Sequence, residues 1–190
     1  MIIVIDTSSL LALVRYYGRF DKDKKLFKFF RSKVETGEIV VIDEVLNECK
    51  GTAKGLVVKF FEFLVNKELQ KEHKYPVRTK DIIAPAPAKF LNQVDNNFKA
   101  PGAKKLTDAQ YQVMKNDFLA SADMRMILYV LNELHINPEL DIRIVTEETE
   151  GSNDNKAFKK IPAICQFLNI KVQTIPELLE DVDGIDLEIG

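Results

Sequence analysis

The stretch Met1-Ile-Ile-Val-Ile-Asp6-Thr-Ser-Ser-Leu10-Leu-Ala-Leu-Val-Arg-Tyr-Tyr17 decides the fold. Four apolar, mostly β-branched residues follow Met1 with no polar alternation, which predicts a strand buried on both faces, as at the centre of a parallel sheet. The run stops at Asp6. Thr7, Ser8 and Ser9 are helix-start residues, and Leu10, Leu11, Leu13 and Val14 give the helix that follows an apolar face. An acid therefore stands where a buried strand hands over to a helix, the end of an open α/β sheet at which ligands bind. Asp is also among the best helix N-caps, so by itself Asp6 reads equally well as a cap.

Working outward, residues 24–35 place Leu26, Phe27, Phe29, Phe30 and Val34 at helical spacing, and Gly37 closes that helix. Residues 38–42 (Glu-Ile-Val-Val-Ile) form a second short buried strand, with Asp43 as N-cap of a helix over 44–50. This is the βαβ rhythm of a parallel sheet. Residues 54–70 read as one further helix with a wide apolar face. Thr107-Asp-Ala-Gln110 is a capping box. The helical pattern beyond it breaks at Ser121, which suits a fresh N-cap, and Asp123 suits the first turn after it. Residues 141–146 form the third strand, 161–168 a helix with an early Pro162, 170–175 a fourth strand and 176–180 a last helical turn. The expectation is a three-layer α/β/α sandwich around a parallel sheet of four or five strands, in one domain over residues 1–180.

Residues 75–106 stand apart. Four prolines punctuate them, periodicity is weak outside 90–98, and they carry a net charge of +4 in a chain that totals −2. They read as an irregular basic insertion, and connections of that length tend to carry function. Arg78, Lys80, Lys104 and Lys105 are its candidate RNA contacts, with a solvated loop as the plainer reading. Residues 181–190 make an acidic tail.

With 46% hydrophobic and 29% charged residues in 190, the composition is that of a globular protein with a real core. The net charge of −2 argues against a generally polycationic nucleic-acid binder. Two cysteines, Cys49 and Cys165, suit a reducing, cytoplasmic setting. No apolar run reaches membrane-spanning length.

Four acids stand where elements begin or end: Asp6 after strand one, Glu48 on the helix after strand two, Asp123 near the head of the helix before strand three, and Glu148 after strand three. Mg²⁺ or Mn²⁺ chemistry on phosphodiesters wants a few hard oxygen ligands that leave room for water and phosphate. Acids clustered without a cation repel and raise one another's pKa, so a cluster of this kind implies a metal. Each acid also has a structural reading as a cap, a solvated helix acid or a first-turn charge. Glu44 competes with Glu48 from one turn earlier, and Glu147 and Asp154 compete with Glu148.

Other phosphate chemistries fit less well. A haloacid-dehalogenase-type phosphotransferase needs a second Asp two residues after Asp6, where Ser8 stands. A receiver domain needs an acid pair beside its phosphoacceptor. Gly51-Thr-Ala-Lys-Gly55 lacks Walker spacing, and His73 and His135 lie apart from any Cys.

In order and local context the four motifs resemble those of PIN-domain nucleases. Asp6-Thr-Ser-Ser-Leu-Leu-Ala-Leu looks like their opening. Val45-Leu-Asn-Glu48-Cys-Lys-Gly51 is similar to their second motif, Ser121-Ala-Asp123-Met-Arg-Met-Ile to the third, and Val145-Thr146-Glu-Glu148 to the fourth. Lys160-Ile-Pro-Ala-Ile-Cys165 resembles a PIN-like subfamily in which a Val-Thr-Glu-Glu segment is followed by Ile-Pro and Cys. The resemblance covers residues 1–70 and 107–176. It implies a ribonuclease dependent on Mg²⁺ or Mn²⁺, with Asp6, Glu48, Asp123 and Glu148 as catalytic metal ligands and Thr146 in support. It further implies RNA as substrate and, for the toxins of toxin–antitoxin pairs, an antitoxin protein as partner; homodimers are common in that family. The alternative is a PIN-like module that binds RNA or protein without cleaving. Glu where the fourth motif more often has Asp or Asn is a departure, and residues 75–106 have no counterpart.

Overall fold

The opening strand lies inside the sheet, with a neighbour on each side. In the computed structural model, which describes residues 1–149 and 156–181, β1 (Ile2–Ile5) pairs in parallel with β2 (Ile39–Val40) on one side and with β3 (Ile142–Val145) on the other; β4 (Lys171–Gln173) completes the order β2-β1-β3-β4. Ile3, Val4, Ile5, Ile144 and Val145 are all buried, which is why these strands show no polar alternation. Helices flank the all-parallel sheet, an α/β/α sandwich. Among the described residues no helix is long and apolar enough to cross a membrane.

Helix α1 (Thr7–Ala12) starts directly behind β1 and runs on into a π-helical turn over Leu13–Tyr17. Helix α2 (Lys25–Glu35) is started by the Asp21 carboxylate, which accepts from the amides of Leu26 and Phe27; it ends at Gly37, whose φ of +76° needs a residue without Cβ. Helix α3 (Asp43–Gly51) follows β2. Asp43 is its first residue rather than its N-cap, because its carboxylate is drawn away by the amide and hydroxyl of Thr79.

The single helix expected over residues 54–70 is instead three short pieces. Ala53, Lys54 and Gly55 all have positive φ, and α4 (Leu56–Phe60), a 3₁₀ turn (Glu62–Val65) and α5 (Lys67–His73) follow. Two forces break it. Asn66 caps α5 by accepting from the amides of Glu68 and Leu69. The kink at Phe61 also lets Phe60, Phe61 and Phe63 gather around Phe27, with ring centroids 4.8–6.5 Å apart, which one straight helix could not do.

Residues 75–106 contain more order than their composition suggests. Val77 forms a parallel bridge to Ile42, extending the sheet by one residue beyond β2. Helix α6 (Pro87–Asn96) buries Phe90 and Val94, and Phe98 is buried just beyond it. Lys99 bridges antiparallel to Phe158. Helix α7 (Asp108–Ala120) carries the complete capping box of Thr107 and Gln110. Ser121 ends α7 and caps α8 (Ala122–Ile136), so the break falls at the residue the sequence indicates. Helices α9 (Ile161–Leu168) and α10 (Ile175–Asp181) complete the described chain.

Candidate active site

Asp6 does not spend its side chain as a helix cap. Although it occupies the N-cap position of α1, it makes no side-chain capping bond. Its Oδ2 accepts instead from the hydroxyls of Ser8 and Thr146, the latter at 3.0 Å. Thr146 is 1% exposed and Asp6 4%. The two are adjacent because β1 and β3 are: the Asp6 amide donates to the Val145 carbonyl at 3.0 Å. Between β1 and β3 the strand order reverses direction, since the connection from β1 leads to β2 on the opposite side. That is the switch point at the carboxyl ends of the strands, where α/β sheets bind their ligands.

Three further acids face this point from other elements. Asp123 lies in the first turn of α8. Burial first, and then the negative charges of Asp6, Glu148 and Glu48, push its carboxyl up to about 7, against the opposing pull of Lys156. Acids 117, 75 and 25 positions away in the chain are thus within electrostatic reach of one carboxylate. Glu48, on α3, is exposed and is steadied by the Thr7 hydroxyl, which donates to its Oε2 at 2.7 Å. Glu148 accepts from the amide of Ile161 at the head of α9 through Oε2 (3.2 Å), while its Oε1 lies 3.9 Å from the Lys156 ammonium. Its own amide donates to Thr146 Oγ1, so Thr146 links the first and fourth acids.

The competing acids separate by their partners. Glu147 accepts from the Ile175 amide at 2.7 Å and so starts α10; Glu48 is held by the Thr7 hydroxyl and acts on Asp123. Asp154 lies outside the described residues. The basic candidates divide as well. Arg78 and Lys80 border a groove beside α3 and α5, while Lys104 and Lys105 sit in the 3₁₀ turn Pro101–Lys105, away from that groove.

Thr7, Ser8 and Lys156 belong to the site and carry no signal of their own in the sequence, where the hydroxyls read as generic helix-start residues. Cys49 and Cys165 are unpaired and buried close by. Burial pushes both thiols up to about 12, with Glu48 and Asp6 adding to the shift of Cys49 and Asp123 to that of Cys165. Such thiols remain protonated and act as small apolar packing.

The donor set is all carboxylate oxygen, the chemistry of Mg²⁺ or Mn²⁺ rather than zinc. Among the described residues no group of three or more His, Cys, Asp or Glu forms a ready-made metal cage. Glu48 and Glu148 are held by Thr7 and by the Ile161 amide, and like charges keep the carboxylates apart. Mg²⁺ needs only one or two carboxylates beside water and phosphate, and Asp123 carries a negative environment that a cation would relieve. The donors suit the ion in kind, though no three of them are gathered around one point among the described residues.

Over residues 3–183 the sequence matches the family described as a domain of unknown function, DUF4411. The chain belongs to that family. All four acids of this DUF4411 chain, together with Ser8, Thr146 and Lys156, fall inside the matched span. Comparison with curated proteins and with solved structures found no match.

Proposed function

We propose that this chain is a cytosolic, PIN-like ribonuclease that hydrolyses RNA phosphodiester bonds with the help of Mg²⁺ or Mn²⁺. One observation carries the reading: Asp6, Glu48 and Glu148, from three other parts of the fold, lie close enough to Asp123 at the carboxyl end of the parallel sheet to add to the burial that holds its carboxyl up at about 7. A structural role for such a group is unrewarding, since the mutual repulsion destabilises the fold. Asp6 and Asp123 would hold the ion, with Glu48 and Glu148 closing the site from α3 and from the loop after β3. Bound there, the ion would supply a Lewis acid for the phosphate and a more acidic water.

The chain's own residues do the positioning. Ser8 and Thr146 fix Asp6 through one oxygen and leave Oδ1 without a hydrogen-bond partner among the described residues. Asp123 gives up its proton near neutrality, so its ligand form is present only once the pH or a cation favours it. Lys156, exposed 3.9 Å from Glu148, would meet a phosphate oxygen of a bound strand. The antitoxin partner and the homodimer rest on the sequence resemblance alone.

The test is cleavage of mixed single-stranded RNA by purified protein in Mn²⁺ or Mg²⁺, beside Asp6→Asn and Asp123→Asn prepared identically. Metal-dependent cleavage lost in both variants is the expected result. Cleavage indifferent to the substitutions removes the proposed site, and RNA binding without any cleavage favours the non-catalytic module.

A further inference from the structure

Beside the acids, on the next arc of α3, lies a groove of about 880 Å³ with an unusual charge balance. Six cations line it: Lys50 from α3, Lys67, Lys71 and Lys74 from α5 and its end, and Arg78 and Lys80 from the segment that bridges to β2. Only two acids share it, and one of these, Asp43, is engaged by the amide and hydroxyl of Thr79. Lys67, Lys71, Lys74, Arg78 and Lys80 have no ion-pair partner among the described residues. Like charges crowded this way repel, and two acids against six cations leave the groove net positive.

The spacing has a form. Lys67 and Lys71 recur at i and i+4 and so share one face of α5, and Lys74, its left-handed C-cap, continues that wall of the groove, while Arg78 and Lys80, two apart on an extended segment, face the same side of the opposite wall. A double row of cations suits a polyanion with regular charges. The walls offer no exposed large apolar side chain: Leu46 and Tyr75 line the groove but are buried, and the exposed hydrophobics lie elsewhere. Protein partners usually need such an anchor, whereas phosphate-backbone binding does not.

Helix α3 connects the groove to the acids. At about 100° per residue, Leu46, Asn47 and Lys50 share one side of the helix and Glu44 and Glu48 the next, with Val45 and Cys49 turned into the core. A strand leaving Glu48 across α3 enters the groove within one helix diameter, about 10–12 Å.

We propose that this groove is the track for the phosphate backbone of a single RNA strand on one side of the cut, bound without regard to base identity. This rests on the ribonuclease reading, but its binding half can be tested separately. The experiment uses the full chain in EDTA, a fluorescein-labelled 20-nucleotide single-stranded RNA of mixed sequence, and anisotropy at several salt concentrations. Neutralising Lys67, Lys71 and Lys74 together to Gln, all exposed and on a segment that carries none of the four acids, is expected to weaken binding at least tenfold at low salt. It should also flatten the log–log salt dependence by about 2, at ~0.7 for each single-strand phosphate left without its cation.

Unchanged affinity and slope in the triple variant, with its melting temperature preserved, overturn the groove even if cleavage is intact. Groove-dependent binding without cleavage in Mn²⁺ upholds the groove and overturns the nuclease. Displacement of the RNA by poly-glutamate of matched charge at equal concentration overturns the RNA track in favour of an acidic protein partner. In the cleaving enzyme the triple variant should raise KM and leave kcat within about twofold, as weakened remote binding requires.

Discussion

Asp6 and Asp43 occupy matching places in the chain. Each follows a buried apolar run in one of two neighbouring parallel strands, and each opens a helix. Their carboxylates nevertheless have opposite fates. Asp43 accepts from Thr79 through both its oxygens, which share the amide N–H, and from the hydroxyl at 2.6 Å, and so fastens residues 75–81 to the edge of the sheet. Asp6 accepts only hydroxyls, on one oxygen, and lies within reach of Asp123. One aspartate is consumed by the fold and the other is held ready by it. An acid after a strand is thus no site by itself; what decides is whether the residues it meets satisfy it or leave it surrounded by like charge.

The contrast breaks most sharply by substitution. Asp6→Asn should lower metal-dependent RNA cleavage by about 10³-fold or more, equivalent to ~4 kcal/mol of lost transition-state stabilisation, while leaving the melting temperature within a few degrees. Asp43→Ala should do the reverse. It strands the amide and hydroxyl of the fully buried Thr79, at a cost of about 2–4 kcal/mol, which for a chain of this length lowers Tm by roughly 5–15 °C. Calorimetry and cleavage assays on the same two preparations read both. An Asp43 variant that melts normally, or an Asp6 variant that melts early and still cleaves, would reverse the assignments.

A smaller effect sharpens the same point through Asp123. Its carboxyl is raised to about 7 in the folded chain against about 3.9 when unfolded. Between those values the folded state keeps a proton that the unfolded state has lost, so stability falls as pH rises through that window. In EDTA the parent should therefore melt several degrees lower at pH 7.5 than at pH 5, beyond any common baseline set by Asp123→Asn. Asp123→Asn should melt higher than the parent at pH 7.5, and saturating Mn²⁺ should restore much of the parent's deficit. Parallel pH profiles for the two proteins would show that the Asp123 carboxyl is not held above its ordinary range.

The smallest predicted effect concerns Glu147 and Glu148, adjacent acids with different duties. Glu147→Gln keeps an acceptor for the Ile175 amide and should change cleavage by less than about threefold. Glu148→Gln should lower it by tenfold or more and raise the metal concentration needed for half-maximal rate.

Much of the fold is legible in the sequence because it is local. The unalternating run at residues 2–5, the Thr107 capping box and the break at Ser121 are written in neighbouring residues, and the structure has all three. The order of the acids along the chain is legible too. The fates of Asp6 and Asp43 are not, because their partners are 140 and 36 residues away. The helix expected over residues 54–70 fails for a similar reason: its apolar residues read as one face, but Phe61 and Phe63 pack against Phe27 of a different helix. Outside α6 and the turn Pro101–Lys105, residues 75–106 look irregular because their order comes from single bridges to Ile42 and Phe158 rather than from internal periodicity. The basic groove draws on three separate segments, and only Arg78 and Lys80 stand out by local charge.

The most direct test of the central claim is a crystal of the chain soaked in Mn²⁺ and measured for anomalous scattering. The account predicts a peak at the carboxyl end of the sheet, in contact with the carboxylates of Asp6 and Asp123 and absent in Asp123→Asn. A well-ordered site with no peak there, at Mn²⁺ concentrations that saturate the protein's other responses, would contradict it.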